Sequence, residues 1–101
     1  MREQLGMTGR PGVLPPGAAC YRRIGPFDRQ NLPSGLLHEH QLKEGVWGVV
    51  TLVSGSMHFI WDDVDGGELV ISAPDSLVIP PETPHHVAAN GDFSLEIEFY
   101  R

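Results

Sequence analysis

All five histidines lie between positions 38 and 86, and four come in two pairs, His38 with His40 and His85 with His86. On an extended strand, residues two apart project to one face roughly 7 Å apart, so His38 and His40 could both reach one ion. Glu44 follows closely enough to add a carboxylate. A surface location for His38 fits the same spacing equally well. The second pair follows Pro80-Pro81-Glu82-Thr83-Pro84. Prolines hold a strand-to-strand turn rigid, and rigid presentation of the next side chain is what a ligand site needs. Chemistry alone leaves two readings of His85 open, a ligand or the cap of a surface turn. If the strand resumes there, His86 points the opposite way, and His58 reads as an outward strand residue. Coordination requires neutral imidazoles, so any occupancy should fall as pH drops through about 6.5.

The elements expected to carry these residues are short and β-favouring, broken by turn residues every eight to twelve positions, a pattern that predicts a sandwich or barrel. The runs are 18–24, 35–40, 46–53, 56–62, 68–72, 76–80, 85–89 and 93–100. Ser54-Gly55 and Asp65-Gly66-Gly67 read as hairpin turns, and Pro33, Pro74, Pro80, Pro81 and Pro84 mark strand ends. Alternation places Met57, Phe59 and Trp61 on a core face, and likewise Phe93, Leu95, Ile97 and Phe99. No segment has a sustained 3.6-residue period, so helix is a minor component. Residues 1–13, rich in glycine and proline, read as a flexible arm ahead of one domain over 14–101.

The 101 residues leave room for one core, and 41% apolar with 20% charged residues is the composition of a globular chain. A net charge of −6 argues against a nucleic-acid partner and against an anionic membrane surface. There is no continuous apolar run of transmembrane length, which together with the single Cys20 predicts a cytoplasmic protein. Cys20 reads as a small structural residue.

Residues 73–85, Ala-Pro-Asp-Ser-Leu-Val-Ile-Pro-Pro-Glu-Thr-Pro-His, resemble the second cupin motif, in which a proline-rich turn delivers a metal-binding histidine. Pro74 and Glu82 stand where cupins usually carry glycine. Leu52-Val53-Ser54-Gly55 resembles the hairpin that closes the first motif. Counted back from Gly55, however, the usual cupin glutamate falls on Gly48 and the usual histidines near Gln41 and Lys43. A closer resemblance, over about residues 14–101, is to the TehB/YeaR-like family of tellurite-resistance-associated, cupin-like domains. It rests on Tyr21-Arg22-Arg23, Phe27, Pro33-Ser34-Gly35-Leu36-Leu37, His40, Lys43, Gly45-Val46-Trp47-Gly48, Gly55, Pro81-Glu82, Pro84-His85 and Glu98-Phe99-Tyr100-Arg101.

That resemblance implies an all-β, single-domain cupin-like barrel or double-stranded β-helix sandwich, and it favours His40 with His85 over the His38-His40 chelate. Lys43, Trp47 and Glu98 match family positions. Lys43 would neutralise an oxyanion or remain a solvated loop lysine. Trp47 would wall a ligand site or sit in the core. Glu98 would complete two histidines as a third ligand suited to iron or zinc, although its parity points outward. The chain has no Gly-rich strand-to-helix loop for a nucleotide cofactor. The expected function is a module binding a divalent metal (zinc or iron) or a small anion, acting in tellurite, oxyanion or nitrosative stress. The alternatives are a metal-dependent cupin enzyme and a site-less dimerisation or docking domain; cupin-like sheets often pair, so a homodimer is expected.

Overall fold

The computed structural model describes residues 12–89 and 91–101. Most of the expected N-terminal arm therefore lies outside the described residues. Six strands follow in order: β1 (Cys20–Phe27), β2 (Trp47–Trp61), β3 (Glu68–Ser72), β4 (Asp75–Ile79), β5 (His85–Ala88) and β6 (Phe93–Tyr100). One 3-10 turn, Ser34–Leu37, lies between β1 and β2. Every strand pairing is antiparallel. The chain is all-β, as the alternation implies, and the arrangement is cupin-like.

β2 organises the molecule. Its first half lies between β6 and β4, with β1 on the far side of β6, while its second half lies between β3 and β5. The two halves bury opposite sequence parities. Gly48, Val50 and Leu52 face inward before the middle of the strand, and Met57, Phe59 and Trp61 face inward after it. Such a flip needs one extra residue, because a one-residue slip moves every side chain to the other face. The register against β6 shifts between Leu52 and Ser54, which supplies it. Gly55 then takes φ 76°, and a Cβ there would lie 2.2 Å from the Asp92 carbonyl oxygen. Ser54-Gly55 is thus a bulged bend inside one 15-residue strand rather than the hairpin its composition suggests. Through it, one strand serves both sheets.

The inward side chains of both sheets meet in a single core: Val50, Leu52, Met57, Phe59, Trp61, Ile71, Ile79, Val87, Phe93, Leu95 and Ile97. Burying a side chain of this size contributes roughly 1.5–3 kcal/mol, so this cluster holds the sheets together. Asp65-Gly66-Gly67 lies in the connection from β2 to β3, with Gly66 and Gly67 at positive φ. The run 35–40 is not a strand. Pro33-Ser34-Gly35 starts a 3-10 turn closed by Leu36 N–H donating to the Pro33 carbonyl, 3.0 Å, and only His40 rejoins the sheet. Leu32 and Leu36 pack from this segment onto the core. Among the described residues no helix is long and apolar enough to cross a membrane.

Candidate functional site

Two histidines from distant parts of the sequence are held face to face. The His40 N–H donates to the His85 carbonyl, 3.0 Å, and the His85 N–H donates to the His40 carbonyl, 2.8 Å. Residues paired in this way across antiparallel chains project to the same side of the sheet. Their imidazoles accordingly meet with ring centroids 4.2 Å apart at 65°. The proline turn holds one member of the pair. Glu82, at φ 55°, donates its N–H to the Leu42 carbonyl, 2.9 Å, and the Pro84 carbonyl accepts from Asp62 N–H, 2.8 Å. His85 therefore enters β5 from a turn tied to both neighbouring segments.

Each ring uses its Nδ1 on the backbone carbonyl two residues earlier. His40 Nδ1 lies 2.8 Å from the His38 carbonyl and His85 Nδ1 2.7 Å from the Thr83 carbonyl. A carbonyl only accepts, so Nδ1 carries the proton in both rings and the lone pair of a neutral ring sits on Nε2. Neither Nε2 has a partner among the described residues. His85 is 2% exposed, the one buried polar or charged residue in the described part of the protein. It stacks on Phe59 at 19° and meets Trp61 edge-on. Burial drives its pKa down to about 4 from 6.5, and His40 pushes the same way, against the Thr83 carbonyl, which stabilises the protonated form.

Both rings line one cavity of about 240 Å³. The rest of its wall is apolar: Ile24 from β1, Leu32, Leu36 and Leu42 from the connections, Gly48, Val50 and Phe59 from β2, Ile79 from β4, Val87 from β5, and Leu95, Ile97 and Phe99 from β6. Gly48 is where counting from Gly55 places the usual cupin glutamate. The space its side chain would take is filled by Leu42, whose Cδ1 lies 3.0 Å from an ideal Cβ there. A larger hollow of about 500 Å³, between Asp28, Arg29, Gln30, Asp92 and Phe93, has no histidine in its wall.

The other expected site residues lie elsewhere. His38 is exposed and contributes its carbonyl rather than its ring. Glu44 is exposed, and Lys43 borders an outer hollow with Tyr21, Arg22 and Gln41. Trp47 is half-buried at the start of β2, opposite Tyr100, outside both the core and the cavity. Glu98 faces away from the cavity, as its parity implies. It accepts from Arg23 Nε at 3.1 Å and from Arg23 Nη2 across the β1–β6 ladder, and from the Tyr100 hydroxyl at 3.1 Å. These bonds raise the pKa of both partners. His86 does point away from His85, with its Nδ1 2.6 Å from Asp62 Oδ2. Among the described residues no three His, Cys, Asp or Glu side chains come together as a metal-binding group. Sequence reasoning missed the apolar wall and the two carbonyls that orient the rings. The shared two-residue offset, His38 to His40 and Thr83 to His85, was the available signal.

Known proteins place this architecture. Two relatives from Haemophilus influenzae, strains Rd and 10810, each named probable S-adenosyl-L-methionine-dependent methyltransferase TehB, are 28% identical over 87 residues. The match covers 80% of this chain and 30% of each relative, so the chain spans under a third of the length of the curated proteins it matches. The crystal structure of Haemophilus influenzae TehB superposes with a TM-score of 0.74 at 27% identity, over 82% of this chain and 31% of that one. A crystal structure of an Escherichia coli K12 protein superposes with a TM-score of 0.79 over 88% of this chain and 95% of that one; at 22% identity it shares the fold. The family model for the TehB-like domain matches residues 22–97, three quarters of the chain, and the protein belongs to that family.

Proposed function

We propose that this domain is a small-molecule-binding module whose ligand occupies the cavity under His40 and His85. One observation carries the reading: two imidazoles, oriented by backbone carbonyls, converge on a single apolar cavity of about 240 Å³. Concave apolar sites with a few fixed polar groups are the usual form of a ligand pocket. The stress setting implied by the family resemblance is the context we propose for it. The TehB relatives are named as methyltransferases, and we read this domain as an accessory ligand-holding portion with the transfer chemistry outside it.

A zinc or iron centre suits the same residues less well. Their carbonyl-bound Nδ1 atoms leave Nε2 ready for ligation, which is the outer-shell arrangement of metal-binding histidines. A catalytic zinc site ordinarily takes three protein ligands, however, and a divalent charge in an apolar wall without a carboxylate is costly. Leu42 fills the space beside Gly48 where the usual cupin motif would bring one.

Titration of the 15N-labelled protein with phenol tests the binding reading. Saturable shifts confined to cavity residues such as Ile24, His40, Val50, Phe59 and His85 support it. Shifts scattered over the surface, or none at millimolar phenol, overturn it. Metal analysis of protein purified without a nickel column, beside His40→Ala and His85→Ala, tests the metal reading: stoichiometric metal lost in both variants would favour a metal module instead.

A further inference from the structure

The walls of the cavity are unusually one-sided in their hydrogen-bonding chemistry. Both Nδ1–H groups are spent on carbonyls, at 2.8 Å for His40 and 2.7 Å for His85, so what each neutral ring turns to a ligand is a lone pair. Every other lining residue is aliphatic, aromatic or glycine. The wall therefore holds two side-chain acceptors and no side-chain donor. An anion would meet two lone pairs with nothing to neutralise it, and a cation would find no carboxylate. A neutral molecule that only accepts would leave its own acceptor and both Nε2 atoms unsatisfied, which is the costly outcome for buried polar groups.

Resting on the ligand-binding reading above, we infer that the cavity selects small neutral molecules that donate a hydrogen bond from an O–H, N–H or S–H group attached to an apolar body. His85 stays uncharged down to about pH 4, so its acceptor persists through the physiological range. Size narrows the class further. A volume of about 240 Å³ corresponds to roughly eight waters at ~30 Å³ each, below the range of drug-sized pockets. The occupant is a compact molecule of phenol size, and the donor is what distinguishes it from other apolar molecules of that size.

Matched probes of one size test this at pH 7: phenol, which donates; toluene, which neither donates nor accepts; pyridine, which only accepts; and benzoate, an anion. Phenol is expected to bind at least tenfold more tightly than the other three and to move the 15N resonance of at least one Nε2. In the double variant His40→Phe/His85→Phe, which keeps two aromatic rings in the wall but leaves no side-chain acceptor, the preference of phenol over toluene should collapse to within about twofold. If that variant does not fold, His40→Phe at the half-exposed partner, which removes one of the two acceptors, should lower the preference by at least about twofold, and an unchanged preference would overturn the donor selectivity. Toluene, pyridine or benzoate binding as tightly as phenol would overturn the donor selectivity while leaving the cavity as a binding site. If no probe binds, the ligand-binding reading itself falls, and the selectivity with it.

Discussion

His40 and His85 form a reciprocal pair: each donates its backbone N–H to the carbonyl of the other, and each donates its ring Nδ1–H to the carbonyl two residues behind it. The two ring contacts are thus the same local device used twice, once in the connection before β2 and once after the proline turn. Antiparallel pairing then sets the rings against each other. Among the described residues neither ring is hydrogen-bonded to a side chain, so the pair depends on the course of the backbone and the buried rings beside it and should survive most surface substitutions.

The burial of His85 makes stability depend on pH. Its folded pKa of about 4 lies below the 6.5 of an exposed histidine, so the unfolded chain takes up the proton first. The stabilisation is complete above about pH 6.5 and is lost as pH falls from there toward 4. A shift of this size corresponds to about 3 kcal/mol at 1.36 kcal/mol per pH unit. Urea unfolding at pH 7, 5.5 and 4.5 should show a steeper fall for the native protein than for His85→Phe. Parallel curves for the two proteins would show that the imidazole is not held neutral by burial.

Gly55 and Gly45 have nearly the same backbone angle, φ 76° and 77°, but different surroundings. Around Gly45 nothing lies within 4 Å of an added Cβ, whereas at Gly55 that atom would lie 2.2 Å from the Asp92 carbonyl oxygen and 2.9 Å from Phe93 Cα. Gly45→Ala should therefore cost only the left-handed penalty, about 1–2 kcal/mol. Gly55→Ala must also displace backbone at the bend that lets β2 change sheets, and a loss above about 4 kcal/mol is expected. Equal melting temperatures for the two variants would show that the bend accommodates a side chain.

Much of the architecture was legible because burial acts with period two. Met57, Phe59 and Trp61, and Phe93, Leu95 and Ile97, lie inside as their alternation implies, since each can reach the core only from one face. The continuity of β2 was not legible. Ser54-Gly55 has the composition of a hairpin, and whether such a pair reverses the chain or bends it is decided by partners distant in sequence, here β6 on one side of the bend and β3 and β5 on the other. Leu36 and Leu37 looked like strand residues for a similar reason: two adjacent leucines have no period of their own, and the Pro33-Ser34-Gly35 start favoured a 3-10 turn. At the site, the proline turn identified His85 and the family pattern identified His40. The pairing of their backbones is a tertiary fact, and so is the apolar wall.

Glu98 provides a check on which carboxylates belong to the site. It lies on the outward face of β6, bonded to Arg23 and Tyr100, while its neighbours Ile97 and Phe99 line the cavity. Glu98→Gln removes an ion pair whose arginine is largely solvated, and exposed pairs of this kind contribute little to stability. Phenol affinity should change by less than about twofold, a range set by the weakness of such surface pairs. A tenfold or greater loss in this variant would place the carboxylate in contact with the ligand and reopen a two-histidine, one-carboxylate centre.

Gly48 tests whether the cavity itself carries the binding. It is buried on β2, lines the cavity, and has an ordinary backbone conformation, so a side chain there is opposed only by space. The nearest obstacle is Leu42 Cδ1 at 3.0 Å, the far end of a half-buried side chain, with Ile79 Cβ next at 3.7 Å. Gly48→Ala should therefore be absorbed by a small movement of Leu42, at about 1 kcal/mol or less. Gly48→Leu adds three further carbons, which can go only toward the cavity or against Leu42. Overpacking of that kind costs about 1–3 kcal/mol, which a domain of ordinary stability survives. Far-ultraviolet circular dichroism should therefore remain native while phenol affinity falls at least about tenfold, because the added group occupies volume the ligand needs. Pairing Gly48→Leu with Leu42→Ala returns that volume and should restore binding. Undiminished affinity in a folded Gly48→Leu protein would mean that phenol binds somewhere other than between the two histidines.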